Sequence, residues 1–207
     1  MVQVKICGIT NLEDALVALR AGADALGFNF YQGSPRYIEP EAAQHIIEQL
    51  PARVLTVGVF VNEGRPEVVA RIADRARVSA LQLHGDESID YCRALKDRFV
   101  IKALRVTRDF RPESAARYET DAVLLDAFAG PARGGTGRMI DWRLARRTRE
   151  LVPKLFLAGG LAPENVAEAI RVVEPYAVDA CSRLEFAPGR KDSSRVEAFI
   201  AAAHVKP

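Results

Sequence analysis

Cys7 and Asp126 are the two residues of this chain whose types and positions suit proton transfer. Cys7 follows Val2-Gln3-Val4-Lys5-Ile6, in which β-branched residues alternate with polar ones, and it precedes Gly8-Ile9-Thr10. Asp126 follows the apolar run Ala122-Val123-Leu124-Leu125. Both runs read as strands, so both residues stand where a strand ends. A thiolate can take a proton once its pKa falls from the free value of about 8.5. A carboxyl can give one up if its pKa is raised. Each also has a plainer reading, the cysteine as a small core residue and the aspartate as a loop cap. Together they offer a base and an acid.

Other strand ends carry further chemistry. The loop after the second predicted strand contains Ser34-Pro35-Arg36, and the planar fork of Arg36 suits a carboxylate. His84 closes the fourth strand ahead of Gly85. It can serve as a ligand or proton donor, or simply hydrogen-bond a neighbouring loop, which is the commoner role. Gly159-Gly160 directly follows the seventh strand, where paired glycines let backbone amides approach an anion; a tight turn is the plainer reading. Cys181-Ser182-Arg183 follows the eighth strand and lies beside that turn. Gly134-Gly135-Thr136-Gly137 lacks the Lys-Ser/Thr ending of a phosphate-binding P-loop and reads as a flexible lid.

These positions need elements that bring strand ends to one face. Strand signals fall at 2–6, 25–30, 54–61, 80–83, 100–106, 122–126, 155–158 and 176–180. The third is apolar on both faces except Thr56, as suits a parallel strand covered on both sides. Helical spacing of apolar residues intervenes throughout, and no linker-like interval interrupts it. Thr10-Asn11-Leu12-Glu13 reads as a capping box with Thr10 as the cap, Gly22 as a stop, and Pro40 and Pro66 as first helical residues. The helix near 114–118 is weakly written, and one begins at about residue 142. About eight strand–helix units in 207 residues predict a single (β/α)8 barrel spanning 1–207, whose chemistry sits on the loops after the strands. The rival, a doubly wound sheet, predicts fewer strands and a Gly-x-Gly-x-x-Gly turn.

Composition narrows the function classes. With 29 basic and 27 acidic residues the net charge is +2, so no strong field recruits nucleic acid or a membrane surface. The arginines at 143, 146, 147 and 149 lack interleaved aromatics and read as a solvated helix face. Three cysteines without a Cys-x-x-Cys spacing argue against a disulfide framework or a zinc site. No stretch approaches the roughly 20 apolar residues of a membrane span. Lys5 and Glu13 interrupt any apolar run of a signal peptide, so the expected compartment is the cytoplasm.

The ordered set Lys5-Ile6-Cys7-Gly8-Ile9-Thr10, Gly27-Phe28 with Ser34-Pro35-Arg36, Leu81-Gln82-Leu83-His84-Gly85, Leu125-Asp126, Gly134-Gly135-Thr136-Gly137 and Leu157-Ala158-Gly159-Gly160-Leu161 with Pro163-Glu164-Asn165-Val166 resembles the phosphoribosylanthranilate isomerase family of tryptophan biosynthesis. The resemblance runs from residue 4 to about residue 192. It implies a (β/α)8 barrel, no cofactor and no metal. The implied reaction is an Amadori rearrangement of N-(5′-phosphoribosyl)anthranilate to 1-(2-carboxyphenylamino)-1-deoxyribulose 5-phosphate. It implies Cys7 as general base at C2′, Asp126 as general acid at the ring oxygen, and Arg36 on the anthranilate carboxylate. Gly159, Gly160, Ser182 and Arg183 then border the phosphate pocket, Asp179 stands at its mouth, and His84 joins the substrate-binding set. The implied partner is the small-molecule substrate, in a monomer or homodimer. One departure stands out. The family usually reads Asp-Val-Ser-Ser-Gly-Val-Glu after the eighth strand, and this chain reads Asp179-Ala180-Cys181-Ser182-Arg183-Leu184-Glu185. A non-glycine residue at Arg183 predicts backbone strain if positive φ is needed there, set against a guanidinium that brings a cation to the phosphate. The expectation is a shifted loop that still binds phosphate, with the guanidinium replacing part of the lost amide contact. Alternatives are a related phosphate-binding barrel acting on another phosphorylated sugar, and a non-catalytic ligand-binding barrel.

Overall fold

A computed structural model describes residues 1–127 and 141–205. Eight parallel strands close into a barrel in chain order: β1 (Gln3–Ile6), β2 (Ala25–Asn29), β3 (Leu55–Phe60), β4 (Ala80–Leu83), β5 (Phe99–Val106), β6 (Ala122–Ala127), β7 (Leu155–Leu157) and β8 (Ala177–Ala180). The barrel closes where β8 pairs with β1, Lys5 opposite Asp179 and Ile6 opposite Ala180. The helices are α1 (Leu12–Ala21), α2 (Pro40–Ile47), α3 (Pro66–Ala76), α4 (Ile89–Arg93), α5 (Pro112–Ala116), α6 (Trp142–Arg149), α7 (Val166–Val173) and α8 (Ser193–Ala203). Among the described residues no helix is long and apolar enough to cross a membrane. The predicted lid at 134–137 lies outside the described residues.

The two-residue period of the strands sorts the side chains into two cores. One set of alternate positions faces the helices: Val4 and Ile6, Leu26 and Phe28, Leu81 and Leu83, Val123 and Leu125, Val178 and Ala180 all join the layer between barrel and helices. The other set fills the barrel, where Val57, Ala80, Ile101, Ala103, Leu124, Phe156 and Ala177 pack together. Continuing the inward register by two residues leads from Lys5 to Cys7, Gln82 to His84, Leu124 to Asp126 and Asp179 to Cys181. The pleat that buries an apolar interior therefore delivers chemistry-capable side chains to one rim.

Three local expectations need correction. Asn11, not Thr10, caps α1: its side chain accepts a hydrogen bond from the Asp14 amide at 2.8 Å. Thr10 instead donates to the Gly189 carbonyl at 2.6 Å; asparagine is the stronger cap, and the threonine is engaged by a segment remote in sequence. The second correction concerns the stretch after β8. It forms a 3-10 turn (Ser182–Leu184) and a short antiparallel hairpin, β9 (Glu185–Ala187) with β10 (Arg190–Lys191), which the strand–helix alternation did not predict. This hairpin is anchored to α1, because the Lys191 amide donates to Asp14 at 3.0 Å. The third is Arg183. The non-glycine residues with positive φ among those described are Asn62, Arg77, Glu119 and Glu174, so Arg183 carries no left-handed strain.

Candidate active site

Cys7 follows β1 directly, and its amide donates to the Ala180 carbonyl at 2.9 Å. The thiol lies against Gly27 of β2: a Cβ there would stand 2.7 Å from the Cys7 sulfur and 3.2 Å from the Lys5 ammonium. Glycine at position 27 thus leaves room for both groups. Lys5, fully buried, pairs with Asp179 at 2.9 Å across the β1–β8 seam. A hydrogen bond from Cys181, with help from the Lys5 and Lys191 cations, holds the Cys7 thiol well below the usual thiol range in spite of its burial. The same contact and burial push the Cys181 thiol up, and the thiol donates to Oε1 of Glu185 at 3.8 Å. Burial works against the charge of Lys5, but Asp179 and Cys7 outweigh it and the ammonium is held charged. Burial pushes the Asp179 carboxyl up to about 7 against the pull of Lys5. Asp179 was expected at a pocket mouth. It lies inside the barrel instead, because the inward register of β8 points it at Lys5.

Asp126 sits on β6, three strands round the rim from β1. Its Oδ2 is 3.3 Å from Nε2 of His84, whose Nδ1 is 2.8 Å from the amide nitrogen of Gln82. With that amide donating to Nδ1, the imidazole N–H lies on Nε2 and faces Asp126. The loop bearing His84 is fastened from beneath by a buried ion pair. Lys102 Nζ reaches Glu87 at 2.6 Å and the carbonyls of Leu83 and Gly85 at 3.1 and 2.8 Å. Glu87 accepts in turn from the amides of Gly85 and Asn62. Sequence reasoning missed this clamp, although a lysine inside an otherwise apolar strand was a signal for it.

Arg36 comes to the rim from the loop after β2. Its Nε donates to both oxygens of Glu185 at 3.0 Å and its Nη2 to Oε2 at 2.6 Å. Lys191 binds the same carboxylate at 2.9 Å. Burial opposes the charge of Glu185, but the two cations hold its carboxyl below the usual range. Glu185 and Lys191 come from the unpredicted hairpin; the shared closing glutamate of the stretch after the eighth strand was the one sign of Glu185, and nothing in the sequence marked Lys191. Gly159 and Gly160 turn the chain after β7 with φ of 85° and 74°, a conformation that favours glycine. The Asn165 side chain donates to the Gly160 carbonyl at 3.1 Å and accepts from the Ala162 amide at 2.9 Å. Ser182 opens the 3-10 turn after the neighbouring β8. Arg183 is exposed; its carbonyl accepts from Nε of Arg195 at 2.7 Å, and its charge acts on Glu164. Arg183→Ala is therefore expected to change stability by less than about 0.5 kcal/mol, measured by urea unfolding, since neither strain nor a buried pair is removed.

Thus a low-pKa thiol, a carboxyl, an arginine and a glycine turn share the C-terminal rim. Among the described residues no group of three or more His, Cys, Asp and Glu could hold a metal ion. A cleft lined by Gln3, Asp24, Leu55, Phe99 and Tyr176 lies at the other end of the barrel, away from the end where such barrels do chemistry.

Comparison with known proteins identifies the family. Residues 4–202 match the family model described as N-(5′-phosphoribosyl)anthranilate (PRA) isomerase. The N-(5′-phosphoribosyl)anthranilate isomerase of Trichlorobacter lovleyi is 52% identical over 200 residues, covering 97% of each chain. A crystal structure of mutually generated monomers of the dimeric isomerase from Thermotoga maritima superposes with a TM-score of 0.88 at 46% identity, over 98% of each chain. A phosphoribosyl anthranilate isomerase in complex with reduced 1-(o-carboxyphenylamino)-1-deoxyribulose 5-phosphate gives the same score, identity and coverage. A family match over nearly the whole chain, and relatives of such identity on the same barrel, place this chain in the N-(5′-phosphoribosyl)anthranilate isomerase family.

Proposed function

We propose that the chain catalyses the family's reaction, the Amadori rearrangement of N-(5′-phosphoribosyl)anthranilate, with Cys7 as base and Asp126 as acid. The observation that carries this is the placement of Cys7 directly after β1 and of Asp126 on β6 at the same rim of the barrel, in a chain of this family. Asp126 gives its proton to the furanose ring oxygen, the C1′–O bond breaks, and the nitrogen lone pair forms the Schiff base. The Cys7 thiolate then removes the proton from C2′, and the C2′–H electrons flow to the iminium nitrogen. The resulting enolamine ketonises as C1′ gains a proton and the C2′ hydroxyl loses one. The Cys181 contact, with the Lys5 and Lys191 cations, favours the thiolate over the thiol. The His84 N–H steadies one oxygen of Asp126 and leaves the other for the proton.

Arg36 reads the anthranilate carboxylate. Glu185 holds its Nε edge, and the substrate takes the Nη1 edge. The glycine turn at Gly159 and Gly160, with Ser182 on the adjoining strand end, takes the phosphate through backbone amides and a hydroxyl. Arg183 adds a solvent-exposed cation near that dianion, and Asp179 acts from below by holding Lys5. The small-molecule substrate is the proposed partner, and the cytoplasm the proposed compartment. The barrel works as one catalytic domain, in a homodimer like the dimeric Thermotoga maritima relative or as a monomer. The direct test is the loss of anthranilate fluorescence on adding freshly prepared phosphoribosylanthranilate. No enzyme-dependent loss would refute the activity.

Arg36→Met should raise KM roughly tenfold or more, the loss of a charge-assisted contact, and lower kcat less, because the carboxylate is remote from the reacting carbons. Glu185 keeps Lys191 as partner, so the variant leaves no buried charge alone. Steady-state kinetics check this, and an unchanged KM contradicts the role.

A further inference from the structure

We propose that Cys7 and Cys181 form an oxidisable dithiol, a modification site that closes to a disulfide on reaction with a peroxide. The proposal rests on strand pairing. Ile6 is the register partner of Ala180, and the Cys7 amide donates to the Ala180 carbonyl at 2.9 Å. The two cysteines are the next residue along each of two adjacent parallel chains. Neighbouring strands lie about 4.8 Å apart, inside the roughly 4.4–6.8 Å between Cα atoms that a disulfide spans. Both side chains continue the inward faces of β1 and β8, and the Cys181 sulfur stands over the glycine that follows Cys7, 2.9 Å from where a Cβ of Gly8 would lie.

The surroundings favour the first step. A peroxide reacts with a thiolate, and Cys7 has two lysines to sustain one. Lys191 Nζ also lies 3.8 Å from the Cys181 sulfur, a cation that helps Cys181 release its proton once Cys7 is oxidised and no longer carries a negative charge. Cys181 is only half-buried, and the site opens on the rim that admits substrate. Cys92 gives the internal contrast: burial pushes its thiol up to about 11, and it sits in the layer between barrel and helices.

The chemistry balances without a further reagent. The Cys7 thiolate attacks one peroxide oxygen, the O–O bond breaks, and the departing hydroxide takes a proton to become water. This leaves a sulfenic acid on Cys7. Cys181, losing its proton, attacks that sulfur; the S–S bond forms, the S–O bond breaks, and hydroxide leaves with the Cys181 proton as the second water. The two thiols give up two electrons, and one peroxide becomes two waters.

Crosslinking needs only the geometry, whereas its effect on turnover rests on Cys7 being the base. The full chain should therefore be treated with hydrogen peroxide and read in two ways. A non-reducing proteolytic map should show the Cys7 and Cys181 peptides joined, and dithiothreitol should separate them. Activity should fall by roughly 10²-fold or more, as expected when the base is occupied, and return with dithiothreitol. In Cys181→Ser the sulfenic acid on Cys7 lacks its partner and proceeds to sulfinic acid, so the activity that variant loses should not return. Singly oxidised, unlinked Cys7 and Cys181 peptides from the natural protein would overturn the pairing. Full recovery by Cys181→Ser would overturn it too. A crosslinked protein that keeps its activity would instead sustain the pairing and refute Cys7 as base.

Discussion

Cys7→Ala is expected to lower kcat by roughly 10²–10⁴-fold, the usual worth of a general base. The fold should survive. One sulfur is removed, Gly27 and Lys5 lose a neighbour, and the Lys5–Asp179 pair at 2.9 Å remains to satisfy both buried charges. Saturating turnover by anthranilate fluorescence, beside a circular dichroism spectrum, separates chemistry from unfolding. A near-normal kcat would remove Cys7 from the mechanism. The natural enzyme carries a pH signature of the same assignment. Cys7 has a lowered pKa, so the thiolate persists below the ordinary thiol range and is lost only as pH falls through that lowered value. The acidic limb of kcat/KM should accordingly lie well below the usual titration of a thiol, about 8.5, and should disappear in Cys7→Ala.

Asp126→Asn should cost a similar factor, roughly 10²–10⁴ in kcat, for a different reason. Asparagine keeps the shape and still accepts from His84, which lies 3.3 Å away, but it has no proton to give the ring oxygen. Substrate binding should persist, so KM should move little. The opposite pattern, KM raised with kcat retained, would make Asp126 a positioning residue and require another acid. The two variants also differ in which bond stays unbroken. Without the acid the ring remains closed, whereas without the base the ring-opened Schiff base can form and should accumulate in single-turnover experiments.

The barrel was legible because its period is local. Alternating β-branched and polar residues before Cys7, and the apolar runs before His84, Asp126 and Gly159, mark strands whatever the tertiary context. Pro40, Pro66 and Gly22 act where they were expected, as helix starts and a stop. Thr10 was less legible. Its sequence fits a capping box, but the Gly189 carbonyl competes for its hydroxyl from 179 positions away.

What the sequence determined by itself is the strand–helix alternation and the residue types at each strand end. These follow from side-chain periodicity and from chemistry that no fold can change. Only the tertiary structure decided their electrostatics. Lys5 reads only as a polar position in an alternating strand, and barrel closure turns it inward onto Asp179 and beside Cys7. Glu185 and Lys191 sit in a hairpin too short for any period to reveal, yet they hold Arg36 and supply a second cation near the thiol. A pKa depends on charges within a few ångströms, and here those neighbours come from residues as many as 184 positions from Cys7, brought there when β8 closes on β1.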